Sequence, residues 1–83
     1  MVQALKYLYE SVSNYIEDEP ISESIYQKIE NNKYENEEDF IEDLHEEEVE
    51  YLDMLLEREI GYAKRVDDEV RVKELNDIYE LLF

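Results

Sequence analysis

The chain has 83 residues, with 25 aspartates and glutamates against 8 lysines and arginines and one histidine, a formal net charge of -17. A chain of this length makes one small domain that buries only about 60% of the surface its unfolded form exposes, and its charge excludes an anionic lipid surface as partner and direct nucleic-acid binding as a main activity. With no cysteine it has no disulfide or thiolate site, and one glycine and one proline favour long helices over a turn-rich β fold.

Val2, Leu5, Leu8, Tyr9, Val12, Tyr15 and Ile16 share one face at helical spacing, which predicts a first helix from Val2 to Glu17. Lacking a basic region before an apolar run, this start is not expected to be a signal peptide. Pro20 opens a second helix, as proline suits the first helical position. Ile21, Ile25 and Ile29 then recur every four residues as far as Glu30, and Asn31-Asn32 closes the helix. Residues 33–36 form a connector.

Asn36, with Asp39 three residues on, reads as the cap of a third helix from Glu37 to Arg58 or beyond. Its core arc holds Phe40, Ile41, Leu44, Tyr51, Leu52, Leu55 and Leu56, with Val49 at the edge. Gly61 and Asp67-Asp68 are breaks. Val72, Leu75, Ile78, Tyr79 and Leu82 predict a fourth helix over Asp67–Leu82, in competition with a short β-hairpin near residues 62–74, where Val70 and Val72 alternate as a strand would. The fold expected is all-α: a three- or four-helix antiparallel bundle, one acidic domain over residues 1–83. No apolar stretch approaches the roughly 18 residues needed to span a membrane.

The charge is unevenly spread. Between Lys33 and Arg58 lie 12 acidic residues and no lysine or arginine. On one continuous helix, Asp39, Asp43, Glu46, Glu50, Asp53 and Glu57 recur at spacings of four and three, flanked by Glu42 and Glu47. Like charges so placed cost about 0.2–0.5 kcal/mol per pair. The run from 39 to 57 would rise about 27 Å, the length over which one DNA strand carries about 8 charges. These eight residues are therefore the expected partner-binding face. The basic cluster of Arg58, Lys64, Arg65, Arg71 and Lys73 is interleaved with acids and is expected to pair with the third helix or across a dimer interface.

With this carboxylate face the chain resembles, in overall character, the small acidic inhibitors of phages and mobile elements: DNA-mimic anti-restriction proteins, anti-CRISPR proteins and helical immunity proteins. The resemblance implies a non-enzymatic inhibitor or regulator in the cytoplasm of a host cell. Its partner would be a basic nucleic-acid-binding protein. The alternative is an intracellular helical interaction module, whether dimer, adaptor or antitoxin-like partner, using the off-face apolar residues Met54, Val70, Leu81 and Phe83.

Chemistry has few candidates. Glu42 and His45 have the Glu-x-x-His spacing of di-iron bundles, but the chain has no second histidine. No metal or cofactor is expected. Glu48 is the one mid-helix acid inside the apolar arc, and is expected to pair with a cation of the C-terminal segment or to mark an interface. Tyr9, Tyr15, Tyr51 and Tyr79 fall on core faces; Tyr7, Tyr26, Tyr34 and Tyr62 have no clear core position and are assigned to the rim.

Overall fold

A computed structural model describes residues 2–83. Local sequence sets the helix boundaries. α1 (Gln3–Ser13) ends four residues short of the expected Glu17, and a buried serine explains the ending. The Val12 carbonyl, left without a helical partner, accepts from the Tyr15 N–H (3.0 Å) and from the Ser22 hydroxyl of the next helix (2.9 Å). That second bond ties the end of α1 to α2 (Pro20–Asn31), which begins at proline as expected. α3 (Glu37–Glu42) is capped by Asn36, whose side chain accepts from the Asp39 N–H at 2.9 Å.

The long third helix does not exist as one rod. It breaks at Asp43-Leu44-His45 and restarts as α4 (Glu46–Arg65), with His45 extended (φ -79°, ψ 159°). Glu48 explains the break. Its carboxylate turns back to accept the His45 backbone N–H at 2.8 Å, satisfying a donor that a new helix start leaves free. α4 then runs through Gly61, which is therefore no break. It ends at Val66, where Asp67 takes a left-handed conformation (φ 57°) and the Asp68 N–H reaches back to the Ala63 carbonyl at 2.9 Å. Asp68 in turn caps α5 (Glu69–Leu81), accepting the Arg71 N–H at 3.1 Å.

The all-helical class is therefore observed, but with five helices among the described residues rather than three or four. No hairpin forms over residues 62–74. The Asp67-Asp68 pair makes a helix stop and a helix cap, and Val70 and Val72 lie on α5. α5 packs against both α1 and α4, α2 packs on α1, and α3 leans on α5. The radius of gyration is 11.7 Å, against about 12 Å for a compact globule of this length.

The core is the sum of the predicted apolar faces. Leu5, Leu8 and Val12 meet Ile25 and Ile29, Phe40, Leu52, Leu55 and Leu56, then Leu75 and Ile78, all fully buried. α4 runs on past Arg58, and Ile60 and Ala63 extend its buried stripe. Among the described residues no buried side-chain polar atom lacks a hydrogen-bond partner.

Candidate functional site

The break after α3 rearranges the acidic face. Asp39 and Glu42 sit on α3, Asp43 in the turn, and Glu46, Glu47, Glu50, Asp53 and Glu57 on α4. The spacing of four and three that aligned them needs an unbroken helix, so the eight carboxylates do not form one row. Two of them are also held by the protein's own groups. The Tyr34 hydroxyl donates to the Asp43 carboxylate at 2.9 Å, and the Tyr79 hydroxyl to Glu57 at 2.7 Å. Glu46, Glu47 and Glu50 remain exposed.

The break also accounts for the acid content. Glu37, Glu38 and Asp39 fall in the first turn of α3, and Glu46, Glu47 and Glu48 in the first turn of α4. Negative side chains stabilise that end of a helix, each by about 0.3–1 kcal/mol. Half of the acids between Lys33 and Arg58 therefore support the two helix starts. Of the eight residues expected to meet a partner, Asp39, Glu46 and Glu47 are among these helix-start acids.

Glu48 is the buried charge of the fold, 3% exposed. Its partner is Lys28 of α2, not a cation of the C-terminal segment. The Lys28 ammonium donates to Glu48 Oε1 and also to the Asp43 carbonyl (2.7 Å), while the Ser24 hydroxyl donates to Oε2 at 2.8 Å. Burial alone would push the Glu48 carboxyl up. The His45 N–H, Lys28 and Ser24 outweigh that and hold it below the ordinary glutamate value. This cluster clips α2 to the α3–α4 turn. Among the described residues no three histidine or carboxylate groups converge to hold a cation.

Tyrosines do more packing than their sequence positions suggested. Tyr9 and Tyr26 stack at 4.3 Å between centroids, and the Tyr9 hydroxyl donates to that of Tyr26 at 2.6 Å. Tyr34 packs edge-on against Phe40 at 5.5 Å. Tyr7, Tyr26 and Tyr34 are half-buried, leaving Tyr62 as the rim tyrosine that stays exposed. Met54, Val70 and Phe83 are exposed, as their off-face positions implied, whereas Leu81 is half-buried.

Of the basic cluster, Arg71 pairs with α4, at Glu59 rather than at the expected acidic face. Arg71 donates to the Ser11 hydroxyl at 2.6 Å and lies 3.9 Å from Glu10 and 4.0 Å from Glu59. Lys73 pairs with Asp77 one turn on, at 3.1 Å. Arg58 and Arg65 lie over the rings of Tyr15 and Tyr62. Sequence reasoning had no means of seeing Tyr15, in the turn after α1, as the neighbour of Arg58.

Comparison with known proteins places the chain. The family model described as "CsgA: Minor curli fiber component A" matches residues 1–83. A curated relative from Bacillus subtilis (strain 168) is 46% identical over 78 residues, which is 94% of each chain. It is described as a "Sigma-G-dependent sporulation-specific SASP protein". No solved structure matches the chain.

These findings overturn the expected function. Neither match is a phage inhibitor, an anti-CRISPR protein or a DNA mimic, and neither supports an adaptor or immunity-like partner. The expected partner, a basic nucleic-acid-binding protein met without any contact to nucleic acid, falls with it. The physical reason is the one given above: the aligned carboxylate rod on which that partner depended is two helices and a turn.

Proposed function

The chain belongs to the CsgA family, described as minor curli fiber component A, and from that premise we propose that it is a non-enzymatic acidic protein of the developing spore. The observation that carries this reading is the 46% identity to a sporulation-specific relative along 94% of both chains. The described residues are helical throughout their regular structure, and the reading follows the relative, which matches along almost the whole chain.

The chemistry suits such a role. The surface is rich in exposed carboxylates. At neutral pH each molecule brings 17 negative charges, and electroneutrality obliges the same charge in cations to accompany it wherever it accumulates. In strong acid the 25 carboxyl groups are neutral while 8 lysines and arginines and the histidine keep their charge, so the chain stays highly charged on both sides of its isoelectric point near 4.1. We place it in the interior of the spore as a soluble polyanion whose synthesis depends on the sporulation factor named for its relative.

A fluorescent fusion expressed from the native promoter tests this. Signal confined to the spore compartment of sporulating cells, and lost when the sigma-G gene is deleted, is the expected result. Equal signal in growing cells, or export to an extracellular fibre fraction, would overturn it.

A further inference from the structure

All three arginines of this acidic chain, Arg58, Arg65 and Arg71, line one open cleft of about 570 Å³. Its walls are the turn after α1, the second half of α4 and the α4–α5 turn. Each guanidinium lies over a tyrosine ring: Arg58 over Tyr15 at 5.3 Å, Arg65 over Tyr62 at 5.6 Å, Arg71 over Tyr7 at 5.9 Å. A guanidinium held beside a ring by this contact keeps N–H groups on its outer edge that can fork an oxyanion.

Arg71 is already committed to Ser11, Glu10 and Glu59. Arg58 has only the Tyr15 hydroxyl beside it among the described residues, and Arg65 only the Tyr62 ring. Among the described residues neither has a carboxylate within 4.0 Å, although acids outnumber lysines and arginines by 25 to 8. The two acids in the cleft are also engaged. Glu59 accepts the Tyr15 hydroxyl at 3.2 Å and faces Arg71, while Asp68 caps α5. Seven residues apart on α4, Arg58 and Arg65 project from one face, separated by about 10 Å of helix rise. Tyr62 lies between them, 57% exposed.

We propose that this cleft is a binding site for a small phosphomonoester, with Arg58 and Arg65 forking the phosphate oxygens and Tyr62 flanking any planar group attached to them. A dianionic phosphate has enough oxygens for two guanidinium forks, whereas a single carboxylate satisfies one. Elsewhere the surface is predominantly acidic and repels anions, so capture depends on these two side chains.

The test is an NMR titration of the full chain with AMP, inorganic phosphate and adenosine in parallel, following the arginine Nε–Hε signals. Saturable shifts of Arg58 and Arg65 with AMP and with phosphate, but not with adenosine, are expected. The double variant Arg58→Gln/Arg65→Gln should bind AMP at least about tenfold more weakly, with an unchanged helical circular dichroism spectrum. Shifts that do not saturate, equal binding by the double variant, or saturation by adenosine alone would overturn the proposal. So would a short DNA duplex that occupies the same arginines more tightly than AMP does.

Discussion

Lys28 of α2 and Glu48 of α4 form an ion pair at the one point where, among the described residues, the fold buries a carboxylate. Glu48 also holds the N–H of His45 and the hydroxyl of Ser24. One side chain thus starts α4, ends the α3–α4 turn and fastens both to α2.

Replacing Glu48 by Gln should destabilise the fold by about 2–3 kcal/mol, because Lys28 loses its counter-charge in a partly buried position. Since the folded carboxyl titrates below its ordinary 4.5, its contribution is present above that value and is lost as pH falls through the folded pKa. Urea unfolding at several pH values checks both points. The wild-type stability should fall on acidification, and the variant should show a shallower fall.

Gly61 lies inside α4, and a Cβ built there meets no atom within 4 Å. Gly61→Ala should therefore stabilise the protein by about 0.5–1 kcal/mol through helix propensity alone. A raised thermal midpoint with an unchanged circular dichroism spectrum is the expected readout.

Asp67 holds the left-handed position that closes α4, at φ 57°. Glycine adopts that conformation without the Cβ penalty, so Asp67→Gly should raise stability by about 1 kcal/mol. Asp67→Val, with a branched side chain at the same φ, should lower it. Paired denaturation curves of the two variants separate this backbone effect from the loss of a charge.

Four tyrosines should titrate late, Tyr51 among them because burial raises its phenol. The Tyr9 phenol, bonded to the Tyr26 hydroxyl, partly desolvated and facing Glu30, is pushed up to about 12. Burial, together with Asp43, pushes Tyr34 up to about 12, and the hydrogen bond to Glu57 does the same for Tyr79. In the unfolded chain these groups ionise near 10. Stability should therefore decline as pH rises from about 10 to about 12, since the unfolded state releases protons first. An ultraviolet titration should resolve a late-ionising group of tyrosines, which mutation of Glu57 to Gln should shrink.

Much of the fold was legible in the residues. Ile25 and Ile29, with Ile21 half-buried at the end of their row, and the run Leu75, Ile78, Leu82 mark core-facing stripes by spacing, and Pro20 and Asn36 mark starts by chemistry. The break at Asp43-Leu44-His45 was not legible. It carries no glycine or proline, apolar periodicity continues across it, and histidine is not a favoured cap. The available signal was Glu48, a carboxylate within the apolar arc and three residues after His45. Its meaning depended on Lys28, twenty residues upstream and on another helix. Read without that break, eight acids on two helices and the turn between them became a single charged rod, and the function followed from the error. The arginine cleft was half legible, because Arg58 and Arg65 are seven residues apart, but its Tyr15 wall comes from the far side of the chain.

The most direct measurement is mass spectrometry of acid extracts from purified spores and from growing cells of the organism that encodes the chain. The account predicts abundant protein in the spore extract and none in growing cells or in spores arrested before sigma-G activity. Comparable amounts in growing cells would contradict it.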